Sequence, residues 1–319
     1  TEGLAPVIRE EIWQTLAELK RDGLAQIVID KNVGRLLRLA NSAAGRGRSA
    51  ASISDAVMRL GLNTVQQLAM GFSLVVLGAD NCFKAVVIYP FSPGIIETEI
   101  ADKLKEICNS ENLLKKQYSR SHNFWAFTES ILVPAELMNA DRNLNMLNLV
   151  FGDAKQGIIH SDFLYKHNLH NVYRIPEAVI DTFSAALPVA TQTHLFSAIV
   201  NRDMPGGNHL FTVFYGNSLT IMLCKEGKLQ VIQNFNYTHA DDCVFHLLNV
   251  CKGFDVQPDS VTLHINGMID EKSGLYASVY KYFLNIEFDE LPGSYTYADE
   301  IKNHPPHFFS HLFALASCV

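Results

Sequence analysis

The sequence lacks most of the short motifs that reveal an enzyme or a metal site. Its 319 residues contain no GxSxG nucleophile elbow, no HExxH zinc motif and no pair of cysteines spaced as CxxC. The first two absences argue against a serine hydrolase and a zincin peptidase. The six cysteines are scattered through apolar runs, which favours reduced thiols in the core of a cytoplasmic protein.

Long apolar runs are also missing. No stretch approaches the ~18 apolar residues of a membrane helix, and the first residues, TEGLAPVIREEIW, contain no basic region followed by an apolar one. We therefore expect a cytoplasmic protein without a membrane span. The net charge of −7 is unevenly distributed, since residues 1–78 hold 9 Lys/Arg and 7 Asp/Glu whereas the remainder holds 17 and 26. Such an acidic main body argues against a nucleic-acid groove there.

The first 32 residues, TEGLAPVIREEIWQTLAELKRDGLAQIVIDKN, have the pattern of a helix followed by a short buried strand. They resemble the part of a branched-chain amino acid ABC-transporter ATPase that follows its Walker B strand. The chain has no GxxxxGK[ST] loop and no LSGGQ-type signature. Without the loop's backbone N–H groups and lysine, this segment cannot hold a nucleotide phosphate by itself.

Val33–Val76 has the pattern of two or three amphipathic helices. Its motifs RLLRLANSA and SISDAVMRLGLNTVQQLA resemble the core of an HDOD domain, a bacterial signalling module. Residues 1–78 contain no histidine, which excludes metal-dependent hydrolysis by this segment on ligand grounds. Because two partial resemblances meet near Asn32, we interpret 1–32 and 33–71 as separate segments of a mainly helical, composite extension. A weaker alternative takes the chain as an ABC-ATPase or HDOD signalling fragment.

The main body repeats one order of elements twice. A hairpin of Phe72–Leu77 and Phe83–Tyr89 is followed by helices and short strands, and a meander at His209–Tyr237 is followed by the same. We therefore predict an α/β fold of two ribonuclease-H-like halves, 72–205 and 206–319.

Several motifs connect this body to a known family. They are ILVPAEL at 131–137, VYRIPEAVIDTF at 172–183, the 209–237 meander, HINGMI at 264–269 and PHFFSHLFALASC at 306–318. In this order and spacing they resemble an uncharacterised bacterial family, a domain of unknown function with an actin-like ATPase fold. The resemblance covers about 240 residues. It implies the fold, and it implies no activity.

Active actin-like ATPases hold phosphate with a Gly-rich, Asp-bearing turn in each half. Here the second-half turn is Tyr215–Ser218, without an Asp, and the first-half turn Gly78–Asn81 has its Gly and Asp in the wrong order. We interpret the chain as a pseudo-ATPase that needs no cofactor and acts through a protein partner of unknown identity. The alternative is a divergent ATPase that binds ATP with Mg. The residues predicted to hold that nucleotide are Gly216, Asn217, Ser218, Asn266 and Gly267.

Clustered histidines are the remaining candidates. His160, His167 and His170 lie close together beside Asp162. Metal binding by this group is an open alternative, and surface or capping roles are favoured because the spacing spans a strand, a turn and another strand. For the apolar tail around His307 and His311, a terminal helix packed in the core is favoured over an exposed partner-binding helix. Asp241 and Asp242 are interpreted as charges at a helix N-terminus.

Overall fold

A computed structural model describes most of the main body. The described residues are 63–68, 71–92, 95–138, 143–152, 157–201 and 203–316. The chain divides into two compact units, one formed by residues 1–54 and 148–153 and the other by 55–147 and 154–319. The helix and strand predicted within 1–32, and the helices predicted before residue 63, lie outside the described residues. The elements below lie in the second unit, except that residues 148–151, the end of one helix, belong to the first.

The first half of the body alternates strands and helices. In chain order they are β1 (Asn63–Leu68), β2 (Gly71–Leu77), β3 (Cys82–Pro90), α1 (Glu97–Ser110), β4 (Ser121–Ala126), β5 (Ser130–Pro134), α2 (Asn143–Phe151), β6 (Ile158–Leu164), β7 (Leu169–Ile175), α3 (Glu177–Ala186), β8 (Thr191–His194) and α4 (Leu195–Val200). A single 3₁₀ turn, Ala135–Leu137, follows β5.

The second half continues with the same alternation. Its elements are β9 (Asn208–Phe214), β10 (Ser218–Lys225), β11 (Lys228–Asn236), α5 (Ala240–Gly253), β12 (Thr262–Gly267), α6 (Gly274–Tyr280), β13 (Asn285–Phe288), β14 (Thr296–Tyr297), α7 (Asp299–Lys302) and α8 (Ser310–Ala316). Two 3₁₀ turns, Pro258–Ser260 and Pro306–Phe308, precede β12 and α8.

Two of the sheets have the same internal order. The first runs β14-β3-β2-β1-β4-β8 and the second runs β11-β10-β9-β12-β13. In each, an antiparallel three-strand meander is extended by two parallel strands, as in β1–β4–β8 and β9–β12–β13. The parallel pairs require crossover connections, and helices occur in those connections. The predicted duplication is therefore visible in the strand order itself. The third sheet, β5-β7-β6, is inserted between β4 and β8.

Each large sheet has its own hydrophobic core. In the first half, α1 and α3 cover one face, where the fully buried Trp125 meets Phe183 edge-on at 5.4 Å between ring centroids. In the second half, α5 and α6 pack on the sheet around Leu247 and Val279, which are both fully buried. Burial of a large apolar side chain contributes roughly 1.5–3 kcal/mol, so two separate cores stabilise the two halves.

The chain crosses back to the first half at its C-terminal end. β14 pairs with β3, and Phe313 of α8 packs on Phe83 with ring centroids 4.5 Å apart. Phe313 is fully buried, which confirms that the terminal helix packs in the core. The predicted second half, 206–319, therefore contains a segment that belongs structurally to the first sheet.

The prediction of a helix is wrong for one stretch of the N-terminal extension. Residues 63–68, interpreted as part of an HDOD-like helix, form β1, which lies between β2 and β4 in the sheet. The first half consequently begins before the predicted boundary at residue 72. In the part of the chain that the structure describes, no helix is both long and apolar enough to cross a lipid bilayer.

Candidate functional site

A cavity of about 680 Å³ lies where the two halves face each other. The first half contributes side chains from β4, β6, β8 and α4. The second half contributes side chains from β9, β10 and β12, the segment after β13, and α8. The polar members central to its geometry are His122, Asp162, Thr193, Ser197, Thr212, His264, Asn266, Asp289 and His311.

Asp162 organises the wall from the first half. Its Oδ2 accepts hydrogen bonds from Ser197 Oγ at 2.6 Å, His194 N at 2.8 Å and Thr193 Oγ1 at 3.0 Å. Its Oδ1 accepts one from Tyr173 Oη at 3.1 Å. Four donors from β7, β8 and α4 therefore converge on one carboxylate of β6. Hydrogen bonds to a charged acceptor are stronger than neutral ones, so this group joins the inserted sheet to the first large sheet.

The imidazoles near Asp162 are held neutral by burial. Burial lowers the pKa of His122 and of His160, although the charge of Asp162 acts in the opposite direction on both. Burial also lowers the pKa of His194 to about 4. His194 Nδ1 accepts from Phe196 N at 3.1 Å, while its Nε2 lies 3.0 Å from the Phe127 carbonyl oxygen. A second proton on Nδ1 would oppose that N–H group, which agrees with the lowered pKa.

Asn266 organises the opposite wall. Its Oδ1 accepts from Ser310 Oγ and, at 3.2 Å, from His311 N, while its Nδ2 donates to Asp289 Oδ2. One amide thus connects the end of β12 to α8 and to the segment after β13. Burial lowers the pKa of His311 to about 3, so this imidazole is neutral too. The neutral amide and imidazole give this wall hydrogen-bonding groups whose charge does not change near neutral pH.

An aromatic stack continues the second wall. His264 stacks on Phe211 with centroids 4.5 Å apart and planes 10° apart, and its Nε2 lies 2.9 Å from His209 Nδ1. On its other side, His264 Nδ1 lies 3.5 Å from Glu287 Oε2 and 3.8 Å from Asp289 Oδ1. The stack fixes the His264 ring beside two carboxylates.

The five residues predicted to hold nucleotide lie at one end of the second sheet. Gly267 pairs with Phe214, directly before the turn that contains Gly216 and Asn217. Of the five, only Asn266 lines the cavity. The structure therefore brings these residues together at the ends of β9, β10 and β12, but only Asn266 faces the cavity.

The two glycines of this group differ in their surroundings. Gly267 has φ +85°, and an added Cβ would meet the Phe214 carbonyl oxygen at 2.2 Å. A side chain is therefore excluded there by the neighbouring strand itself. Gly216 has open space around it, and its turn is closed by a hydrogen bond from Tyr215 N to the Ser218 carbonyl oxygen at 2.8 Å. Packing of the backbone explains Gly267 without a ligand.

The first-half turn that the sequence analysis compared with a phosphate-binding turn belongs to the wrong hairpin. Gly78–Asn81 joins β2 to β3, whereas the strand order makes the β1–β2 turn the counterpart of Gly216–Asn217. Residues 69–70 of that turn lie outside the described residues. Asp80 is exposed, lies outside the cavity lining and pairs with Lys84 Nζ at 2.5 Å. The misassignment follows from interpreting β1 as a helix.

The clustered histidines do not converge. His160 stacks on Tyr173 on one face of the inserted sheet, whereas His170 bonds Ser161 Oγ through Nδ1 at 3.0 Å on the other face. His167 Nε2 lies 2.9 Å from the Val200 carbonyl oxygen. Within the described ranges, no group of three or more His, Cys, Asp or Glu side chains could hold a metal ion. The structure thus gives these histidines separate packing and hydrogen-bonding roles.

Two smaller predictions are also answered. Asp242 Oδ2 accepts from His239 N at 2.8 Å and from Thr238 N at 2.9 Å at the start of α5, which confirms its role at a helix N-terminus. His307 is buried, and its Nε2 lies 2.8 Å from the Ile269 carbonyl oxygen. This agrees with the prediction that the segment around His307 packs in the core.

Sequence reasoning missed Thr193, Ser197 and Asp289 as members of the site. Thr193 and Ser197 belong to β8 and α4, which have four and six residues. Elements this short show no usable periodicity. Their link to Asp162 spans 31 and 35 positions of sequence, so no local pattern signals it.

Two family models match the sequence. The model described as "Protein of unknown function (DUF3822)" matches residues 64–286, and the HDOD domain model matches residues 24–90. In the overlap of these matches the structure places β1, β2 and β3 in the first sheet. No curated protein matches the sequence at a significant level.

Solved structures show the same architecture. A Bacteroides thetaiotaomicron protein with an actin-like ATPase fold and unknown function superposes with a TM-score of 0.66 at 16% identity, covering 81% of this chain and 96% of that one. A chain from a PilM–PilN type IV pilus biogenesis complex superposes with a TM-score of 0.57 at 12% identity, covering 81% of this chain and 98% of that one. These similarities confirm the actin-like ATPase fold of the main body.

Proposed function

Because the chain belongs to the DUF3822 family of proteins of unknown function, we propose that it is a non-hydrolysing protein with an actin-like ATPase fold that acts through a protein partner. One observation carries the proposal. The turn at Gly216–Asn217, which joins β9 to β10, has no acidic residue and lies outside the cavity lining. Phosphoryl transfer depends on backbone donors and a metal-positioning carboxylate at that place.

The charge of the cavity supports the same conclusion. Asp162, Asp203 and Asp289 line it, and the Lys166 ammonium that also lines it lies 2.7 Å from Asp203 Oδ1. A triphosphate would bring several negative charges next to these carboxylates. This repulsion is strongest at Asp162 and Asp289, because the Asp203 side chain is 97% exposed and water screens its charge.

A protein partner is supported by the fold comparison. One of the similar structures is a chain of a PilM–PilN type IV pilus biogenesis complex. We propose a comparable use of the fold here, as a binding module in the cytoplasm, with a partner other than nucleic acid. The acidic body is consistent with that exclusion.

A second candidate is a divergent ATPase, and the open cavity favours it. A volume of about 680 Å³ lies within the range of small-molecule sites, and Asn266 lines it. In that case Asn266 would contact Mg-ATP, and the Gly216–Ser218 turn would have to rearrange in order to contact it as well.

Titration calorimetry of the full chain with Mg-ATP separates the two candidates. The proposed function predicts no saturable heat. Tight binding that is abolished by Gly216→Val would overturn it and support the divergent ATPase, since that substitution changes only a turn with open space around it. A Val substitution at Gly253, which also has open surroundings and lies at the end of α5, is the matched control.

A further inference from the structure

The second large sheet ends in a long edge strand. β11 has nine residues and pairs with β10 on one side. The other edge strands in the described part of the chain have two to seven residues. On its outer side, β11 has no neighbouring strand among those residues. The outward N–H and C=O groups of such an edge can pair with a further extended chain.

This edge carries few of the features that prevent pairing. Lys228, its first residue, is its only charged residue, and the strand contains no proline. The register with β10 shifts at Gln230, so Val231–Asn236 is the regular part of the strand. Gln233, in the middle of that part, is exposed. The regular part therefore has neither a charge nor a proline that would oppose an added strand.

The side chains of the regular part match a second copy of the same strand. Val231 and Phe235 lie on one face and pack, partly buried, against the second core. Antiparallel pairing about a two-fold axis at Gln233 places Val231 of each copy opposite Phe235 of the other. It also places the two Gln233 amides opposite each other, and each amide can donate to the other. Apolar groups thus meet apolar groups, and amides meet amides.

The charges beyond the two ends of the edge are complementary. At the first end, Lys225 and Lys228 together with Glu226 give a net charge of +1. Beyond the other end, α5 begins with Asp241 and Asp242, which give −2. Antiparallel pairing brings the first end of each copy to the second end of the other, so opposite charges approach at both ends. This complementarity favours a second copy of the chain as the partner.

The helix α5 extends the same surface. Phe235 of β11 stacks on His246 of α5 with ring centroids 4.5 Å apart, and His246 meets Phe245 edge-on at 5.5 Å. Phe245 is 42% exposed. A two-fold axis perpendicular to the sheet would place α5 of both copies on the same face. Pairing of the strands would then cover aromatic surface in addition to forming backbone hydrogen bonds.

We propose that β11 is a self-association edge, at which two copies of this chain pair antiparallel about a two-fold axis at Gln233. Their five-stranded sheets then form one continuous sheet. The proposal goes beyond the proposed function, since self-association requires neither the loss of ATP hydrolysis nor the partner proposed above. It is measured without nucleotide, so either proposal can fail without the other.

Sedimentation equilibrium of the full chain tests the proposal. We expect the wild type to dimerise, and Gln233→Lys and Gln233→Glu each to dimerise at least about tenfold more weakly, because like charges then face each other across the axis. An equimolar mixture of these two variants should recover the wild-type affinity, since opposite charges then meet. In the control Gln230→Lys the same charge lies on the same strand, exposed and away from the axis, and the affinity should stay within about threefold of the wild type.

The mixture separates a broken interface from a broken fold, because only folded variants can recover pairing with each other. Equal dimerisation by Gln233→Lys and the wild type, an equal loss in Gln230→Lys, or a mixture that stays monomeric would overturn the proposal. A wild type that stays monomeric at every concentration would overturn it too, and the edge would then be open to an extended segment of a different protein.

Amide hydrogen exchange of the wild type is a second measurement that needs no variant. The amides of Val231–Asn236 that point away from β10 should exchange more slowly at concentrations at which the dimer predominates, because they become hydrogen-bonded to the second copy. Exchange rates in this stretch that do not depend on protein concentration would contradict the proposal.

Discussion

Asp162 in the first half and Asn266 in the second half have similar organising roles and different chemistry. Each lies in a strand, lines the cavity and connects elements that are distant in sequence. Asp162 does so as a charged acceptor of four hydrogen bonds, whereas Asn266 both accepts from α8 and donates to Asp289. Asp162 belongs to the inserted sheet and Asn266 to the second large sheet, so a carboxylate organises one wall and a neutral amide organises the other. The fold determines where the walls lie, and single side chains determine what they attract.

The largest expected effect concerns β1, which has the same position in the first sheet as β9 has in the second. Deleting residues 1–62 should leave a folded body, whereas deleting 1–71 should abolish folding. The second deletion removes β1, which lies between β2 and β4 and pairs with both. Circular dichroism and a cooperative unfolding transition would measure the difference. If both deletions unfold cooperatively with equal midpoints, β1 is not equivalent to β9.

The next effect compares the two organising side chains. Asp162→Ala should lower the free energy of unfolding by about 3 kcal/mol, because it leaves several partly buried donors without an acceptor. Asn266→Ala should cost about 2 kcal/mol, since fewer donors lose their partner. Urea denaturation at neutral pH measures both. A larger cost for Asn266→Ala would reverse the ranking of the two walls.

The length of an element decides whether the sequence predicts it. The meander and α5 were predicted closely, because their apolar and β-branched runs are long and bounded by turn residues. β1, with the sequence NTVQQL, was missed because two apolar side chains among six carry no strand pattern. The Asp162 network was missed because its donors come from β7, β8 and α4. Hydrogen bonds between distant segments are set by tertiary packing, which local patterns do not encode.

A smaller effect separates the two glycines of the second half. Gly267→Ala should destabilise the protein by roughly 2 kcal/mol, since its positive φ and the Phe214 carbonyl oxygen both oppose a Cβ. Gly216→Ala should change stability by less than about 0.5 kcal/mol, because nothing lies near it. Thermal unfolding of the two variants measures the contrast. Equal destabilisation would indicate that Gly216 has a constraint beyond its own turn.

The smallest effect is a pH dependence in the first wall. The pKa of His194 is lowered to about 4 in the folded state, so on acidification the unfolded state binds a proton first. Its contribution to stability is present above about pH 6.5 and is lost as the pH falls toward 4. Between pH 7 and pH 5 the wild type should lose about 1.5 kcal/mol more than His194→Gln. Urea midpoints at both pH values measure this, and parallel losses in the two proteins would show that His194 does not titrate as its burial predicts.

The most direct test of the central claim is steady-state phosphate release from ATP by the full chain in the presence of magnesium. The claim is that this actin-like fold retains the cleft without the chemistry of phosphoryl transfer. It predicts a rate no higher than that of buffer alone. Turnover above that background that disappears in Gly216→Val would contradict it, because the turn at Gly216 would then be acting on phosphate.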